Sequence, residues 1–492
     1  MEKSLKHRTA GTLKWNTVDR LATQLLYAVT GVVLARVLSQ EDFGLVGAVL
    51  VFQAFASLLV DSGFFSALVQ RKHPTQLDYS SVLWFNIAMG VVLYAVAWAC
   101  APLIADCFGG DGRLVPLTRV MFLSVPLNAT ATVQCCRLVK RMDVKMVAVA
   151  NSLGLIAGAV AGISLALAGA GAWAIVWQTL TLAAVKSATL WTTERWRPSM
   201  AFSMRALRSY MGVGTRVLLT SFLNTVFQNI YSFFVGNRVG LASLGYYTQG
   251  DKWSKMGVLS ISQVLTSSFL PTLSEVQDDP ERFRRLVARI NRFTAYMLFP
   301  GTLGLAAMAS PIFHTLFGTK WDASIVLFQM LLVRGVFTVL NAQYSNYVLS
   351  LGHARDVVWL EVLRDGTALV ALAATLPVIA LSTPDDPVLG LRYMLWGQIG
   401  ATALTWVVSA AVAARRVGAT MWSFVTDLAP YAALTLLIVP VMLLCGSLTD
   451  SPLAACVVEG AVGVGLYMGA NRVAGSKIQE EMIGYFTGKN KL

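Results

Sequence analysis

Long apolar runs broken by short polar and charged segments recur along the whole chain. A run of about 20 mainly apolar residues suffices to cross the hydrocarbon core of a bilayer as a helix, and about fourteen such runs can be drawn here. They fall at roughly 12–37, 44–68, 79–103, 114–136, 146–168, 170–190, 212–237, 243–270, 292–313, 322–350, 356–380, 388–412, 426–447 and 452–470. The fifth and sixth are separated only by Ala168-Gly169-Ala170-Gly171, which predicts a tight antiparallel hairpin. The longest loops, around 191–211 and 271–291, have about 20 residues, too few for a soluble domain. The pattern predicts an all-α polytopic membrane protein.

An even number of spans puts both termini on one side. With the N-terminus inside, the inner segments hold 26 of the 39 basic residues, in clusters such as Arg137, Lys140, Arg141, Lys145 and Arg282, Arg284, Arg285, Arg289, Arg292. The outer ends hold only Arg36, Arg113, Arg119, Arg238, Lys320 and Arg392. Lys and Arg accumulate on the cytoplasmic side, so both termini are expected to face the cytoplasm.

An internal repeat adds organisation. The first span ends Ala35-Arg36-Val37-Leu38 and reaches Phe43-Gly44 as the second begins; the seventh ends Asn237-Arg238-Val239-Gly240 and reaches Leu244-Gly245 as the eighth begins. The offset of about 200 residues corresponds to six spans. Two parallel six-helix lobes, residues 1–205 and 206–415, plus two further helices and a tail over 416–492, make a transporter-like plan.

Composition narrows the classes. The 492 residues are 56% hydrophobic and 13% charged, with a mean hydropathy of +0.61; a soluble protein carries about 25% charged residues. A disordered chain is excluded by 23 Phe, 13 Trp and 14 Tyr. The net charge of +13 is dispersed in short clusters between apolar runs, as the positive-inside rule produces, and gives no reason to expect nucleic acid. Six cysteines lack metal-ligand spacing and fall mostly in apolar stretches, so neither a metal site nor a disulfide framework is expected. His7, His73, His314 and His353 are isolated, and no phosphate-binding loop is present. No cofactor is implied, and nothing points to an enzyme. The basic start, Met1 to Lys14, lacks the short apolar region and cleavage site of a signal peptide, so the first helix is expected to be retained.

The candidate chemistry lies in charges inside the spans. An ionised side chain at mid-bilayer costs about 2.5–3.5 kcal/mol on the insertion scale and normally faces a bundle interior or a wet cavity. Seven basic residues are in this position: Arg20, Lys186, Arg216, Lys252, Lys255, Arg334 and Arg364. Lys186 and Arg216 are close enough to inner helix ends to snorkel. Lys252 and Lys255, three apart, share a helix face on which both would meet one anionic group. Arg334 lies about 12 residues from the outer end of its span with no acid within four positions after it, so it is read as cavity-lining or as paired to Glu361 or Asp365 on the next helix. Glu361, Arg364 and Asp365 are spaced to neutralise one another. Asp61 and Asp19 are the carboxylates placed to couple an ion, with a structural Asp61–Arg20 pair as the alternative. Basic residues outnumber acidic ones in the spans, which suits an anionic substrate such as a phosphate or pyrophosphate. Amides at Asn16, Gln24, Asn224, Gln228, Asn229, Gln249 and Gln263 suit hydroxyl-rich sugars, or helix–helix hydrogen bonds. Gly154, Gly158 and Gly162 on the fifth span, and Gly465 and Gly469 on the fourteenth, read as close-packing positions.

Several segments resemble bacterial polysaccharide flippases. They are Arg36-Val-Leu-Ser-Gln-Glu-Asp-Phe-Gly44, Asp61-Ser-Gly-Phe-Phe-Ser-Ala-Leu-Val-Gln70, Ser80-Ser-Val-Leu-Trp-Phe-Asn86, Gly245-Tyr-Tyr-Thr-Gln-Gly-Asp-Lys-Trp253 and Phe269-Leu-Pro-Thr-Leu-Ser-Glu-Val-Gln277. The chain is similar over about residues 10–420 to the Wzx-type, colanic-acid-exporter-like branch of the multidrug/oligosaccharidyl-lipid/polysaccharide (MOP) exporter superfamily. The resemblance implies two six-helix lobes around a central cavity and alternating access. It also implies export of undecaprenyl-pyrophosphate-linked oligosaccharides across the bacterial inner membrane, for surface polysaccharide assembly. Arg20, Lys252, Lys255, Arg334 and Arg364 are then the expected substrate-binding residues, with Asp19 and Asp61 for proton or sodium coupling. Membrane lipids, a polymerase and other assembly proteins are the expected partners. The alternatives are a cation-coupled multidrug exporter of the same superfamily, for which an acidic cavity is expected, and a membrane-embedded polymerase or ligase, for which a long periplasmic loop is expected.

Overall fold

A computed structural model describes residues 2–61, 64–379, 381–383 and 386–486. Within them, the side chains of 2–14, 16–18, 61, 213, 214, 216, 217, 264, 266–268, 270, 271 and 482–486 lie outside the description. Among the described residues the chain is all helix, in eighteen α-helices and one short 3-10 turn. Its packing divides it into two compact units, one ending at Gly245 and the other starting at Tyr246.

The first unit contains α1 (Glu2–Val37), α2 (Gln40–Asp61), α3 (Phe64–Gln70), α4 (Gln76–Cys107), α5 (Leu114–Met121), α6 (Ser124–Lys140), α7 (Val144–Leu167), α8 (Trp173–Thr193) and α9 (Met204–Arg238), and α10 (Leu241–Glu275) starts in it. The second contains the rest of α10, then α11 (Pro280–Ala307), α12 (Ala309–Leu316), α13 (Asp322–Ser350), α14 (Ala354–Ile379), α15 (Leu389–Val417), α16 (Met421–Gly446), α17 (Pro452–Val473) and α18 (Lys477–Phe486). Every one of the fourteen apolar runs falls on one of these helices or on a broken pair. Ten are long and apolar enough to cross a membrane, and eleven if α11 and α12, bent by 60°, count as one. The other three runs are α8, α9 and α10, equally long but with more polar residues. The breaks have local causes. Pro126 and Pro311 each displace the carbonyl four residues back, at Phe122 and Ala307, where α5 gives way to α6 and α11 to α12.

Glycine sets two close approaches. Along α7, a Cβ at Gly154 or Gly158 would come within 2.9 or 2.7 Å of the Leu182 and Gln178 carbonyls of α8, so only hydrogen lets these helices pack this tightly. The repeat meets itself in the first unit: a Cβ at Gly44 would collide with the Leu241 carbonyl, and one at Gly245 with the Gln40 carbonyl. The contact is reciprocal between equivalent positions of the two repeats.

Within each unit the basic helix ends gather at one end. In the first, buried Glu194 accepts from Arg137 and Arg141 at 3.5 and 3.2 Å, and the Lys140 ammonium donates to the Leu68, Val69 and Arg71 carbonyls that close α3. The segment after α8 is tied down there, with Trp84 Nε1 donating to the Ser199 carbonyl at 2.9 Å. At the opposite end Arg113 bridges Glu41 at 2.5 Å and Asp111 at 2.6 Å. That hydrogen-bonded guanidinium, outside the membrane spans, holds the Asp111 carboxyl below its ordinary range. In the second unit a core of Phe283, Val287, Ile290, Tyr344 and Tyr347 joins α11 and α13.

Candidate functional site

The first unit has an open cavity of about 560 Å³ between α2, α3, α6, α8 and α9. Its polar lining is Ser57, Ser66, Asn128, Thr132, Lys186 and Ser221. Lys186 is the single charge in α8, seven residues before its end at Thr193, or about 10 Å along the axis. The local sequence fixes where it points. Gly154 allows α7 to approach until its Cβ position would lie 3.1 Å from Lys186 Cβ. On the other side α8 is bolted to α6: the Ser187 hydroxyl donates to the Leu127 carbonyl at 2.9 Å and lies 2.9 Å from the Thr130 hydroxyl. Trp191 Nε1 donates to the Thr130 carbonyl at 3.1 Å. The α8 backbone is thus held on both faces, with Lys186 on the cavity wall.

Among the described residues, Lys186 has no carboxylate partner and the Asn128 amide has no hydrogen bond. A half-buried ammonium with no counter-charge is costly unless something anionic or water meets it. The cavity therefore offers one cation, one amide and several hydroxyls to a guest: a phosphate-compatible charge beside sugar-compatible hydrogen-bonding groups.

The residues singled out from the sequence are distributed differently. Arg20 lies on an exposed face of α1. Its neighbour Asp19 packs toward α7, where Asn151 Nδ2 donates to one carboxylate oxygen at 3.4 Å; the other oxygen is buried without a partner among the described residues. Asp61 ends α2, and its side chain, like that of Arg216, is outside the description, so the Asp61–Arg20 pairing falls outside it too. Lys255 is ion-paired to Asp251 one turn back on its own helix at 2.6 Å. Lys252 sits over the Trp253 ring at 5.5 Å. The two lysines therefore do not form a free doubly charged face. Arg364 is neutralised locally by Glu361 at 2.5 Å and Asp365 at 3.1 Å. That takes up both acids on α14 that were weighed as partners for Arg334. Arg334 instead donates to the Gln398 side-chain oxygen of α15, a neutral partner, and makes no ion pair among the described residues. Buried Gln398 keeps its NH₂ group unpaired. The amides of α9 and α10 mostly bond within their own helices, as in Gln228 to Asn224 at 3.2 Å and Trp253 to Gln249 at 3.0 Å.

Sequence reasoning set Lys186 aside as a snorkelling residue and did not single out Asn128. A signal existed: Lys186 is a lone cation in its span with no acid within four positions, the same property that drew attention to Arg334.

A multi-pass helical chain of two compact units, with an open cavity that carries a lysine on its wall, has the architecture of a membrane transporter. Residues 33–326 match the family of polysaccharide biosynthesis proteins, and the chain belongs to that family. It is 26% identical to the succinoglycan biosynthesis transport protein ExoT of Rhizobium meliloti (strain 1021), over 80% of this chain and 78% of that protein. It is 24% identical to the lipopolysaccharide biosynthesis protein WzxC of Escherichia coli (strain K12), over 68% of each chain. The fold is also that of the lipid II flippase MurJ in an inward closed conformation, with a TM-score of 0.64 at 14% identity, covering 93% of this chain and 99% of MurJ.

Proposed function

We propose that this protein is a flippase that moves an undecaprenyl-pyrophosphate-linked oligosaccharide across the bacterial inner membrane by alternating access, both termini being cytoplasmic. The observation that carries this reading is the cavity of the first unit, where the Lys186 ammonium, without a carboxylate partner among the described residues, stands beside the Asn128 amide and four hydroxyl side chains. The cation receives a phosphate oxygen and the amide and hydroxyls receive sugar hydroxyls. Membership of the polysaccharide family and the transport role named for ExoT support the same reading. Arg20, Lys252 and Arg334 are further contacts along the route. Lys255 and Arg364 serve it while keeping their local acidic partners, and Asp19 and Asp61 carry any proton or sodium coupling. Surface-polysaccharide polymerases are the partners that consume the exported unit. A multidrug exporter of the same superfamily is less well supported, because the described lining of the cavity contains a cation and no acid.

The test is deletion of the gene followed by analysis of lipid-linked intermediates. Unpolymerised intermediate should accumulate on the inner leaflet, and wild-type protein should clear it. A Lys186→Gln variant at matched abundance should not. Normal polymer in the deletion strain, with unchanged drug-free lipid pools, would refute the assignment.

A further inference from the structure

A second cavity, of about 370 Å³, lies in the other unit where the start of α11, the first turns of α16 and the beginning of α18 converge. Its walls carry Arg285, Arg289, Arg292 and Lys477, with Tyr431 and Glu481. The three arginines fall at i, i+4 and i+7, one stripe of α11. Two of the four cations are already paired: Arg289 with Glu481 at 2.9 Å and Arg292 with the nearly buried Asp427 at 2.6 Å. Arg285 and Lys477 have no ion pair among the described residues, which leaves two spare positive charges facing one cavity. The helix that brings Lys477 there is anchored. Ile478 packs into the cluster of Tyr296, Ile438, Met442 and Tyr467, and Gln479 Nε2 donates to the Met468 carbonyl at 3.0 Å.

The surroundings identify what kind of anion fits. Val473, at the end of α17 and four residues before Lys477, is 92% exposed. Leu436 and Leu437, five and six residues beyond Tyr431 on α16, are 60% and 73% exposed. Trp422, in the first turn of α16, is also exposed, as aromatic side chains at the headgroup level of a membrane are. A cationic pocket at the end of two spans, on helices whose other faces carry outward-facing apolar side chains, matches an amphiphile with an anionic head. We propose that this pocket binds the phosphodiester headgroup of an anionic membrane phospholipid, with Arg285 and Lys477 as the charge-bearing contacts. The site is separate from the Lys186 cavity and does not depend on the transported substrate. Bound lipid clamps α18 to α11 and α16, so occupancy stabilises this end of the unit.

The purified full-length protein in detergent tests it by thermal unfolding at constant ionic strength. Added phosphatidylglycerol should raise Tm by about 2–4 °C. Phosphatidylcholine and inorganic phosphate, each at the same concentration, should not. The Arg285→Gln/Lys477→Gln variant should need about tenfold more phosphatidylglycerol for the same rise, while an Arg205→Gln/Arg208→Gln control behaves as wild type. Should the double variant be poorly folded, Lys477→Gln alone, an exposed change, should still weaken the response at least threefold. An unchanged response in these variants, or an equal rise with phosphatidylcholine, would overturn the proposal. An equal rise with inorganic phosphate would make this a soluble-anion site and overturn it as well.

Discussion

The two units treat cations within their spans in opposite ways. In the second, Lys255 and Arg364 each have a carboxylate on their own helix, and Arg334 rests on the Gln398 amide of the neighbouring one. In the first, Lys186 stands on a cavity wall with no counter-charge among the described residues. The difference is that depth in a helix does not by itself define a site. The cost of a buried charge can be met by a neighbour a turn away, and then nothing is left to attract a ligand. Where no neighbour meets it and space adjoins it, the unmet interaction is available to a guest.

The sharpest break is charge reversal on the first-unit side. Lys186→Glu should cut export below a tenth of wild type at matched protein level, since a charge-assisted contact is worth about 1.5–3 kcal/mol and reversal adds repulsion. Lys186→Arg should retain part of the activity. Export measured as surface polymer in a complemented deletion strain checks both, and normal export by Lys186→Glu would erase the contrast between the units. Next in size is the Arg334–Gln398 contact. Arg334→Ala and Gln398→Ala should each lower stability by about 1–2 kcal/mol, and the double variant should lose less than the sum. Strict additivity in thermal unfolding would show that the amide does not hold this arginine. Lys255→Gln should change stability by no more than about 0.5 kcal/mol and leave export within about twofold, because its half-exposed pair with Asp251 contributes little. A loss as large as that of Lys186→Glu would give Lys255 a weight in the pathway equal to that of Lys186, in spite of its partner.

The smallest effect belongs to the Arg113 cluster. Asp111 has a lowered folded-state pKa, so the stability it contributes is complete above the ordinary carboxylate value and is lost as pH falls through the lowered one. Arg113→Gln should therefore lower Tm by the same ~1–2 °C at pH 7 and pH 5. The difference should shrink only below about pH 4, where unfolded aspartate takes up its proton.

The helices were legible because their signal is thermodynamic and repeated: each apolar run must be long enough to span, and all fourteen correspond to helices or broken pairs of helices. The local neutralisation of Arg364 was legible too, since i, i+3 and i+4 spacing is a one-dimensional property. The cavity was not. It is made by Ser57, Ser66, Asn128, Lys186 and Ser221, brought together from five helices, and no spacing rule links residues so far apart in sequence. Arg334 shows the same limit, because its partner Gln398 is uncharged and 64 positions away, so a search for carboxylates passes it by. The glycines of α7 were read correctly as packing positions. What the sequence concealed is that the helix they admit carries the lysine of the cavity.

The reciprocal meeting of Gly44 with the Leu241 carbonyl and of Gly245 with the Gln40 carbonyl has a further meaning. A contact that recurs with its two sides exchanged is what a two-fold axis creates between identical subunits. Here one polypeptide supplies both sides of the joint. Each glycine is therefore the other's counterpart, and the contact is only as close as the bulkier of the two allows. A methyl group at either position would wedge the joint at one side and leave its mate fitting a surface that had moved.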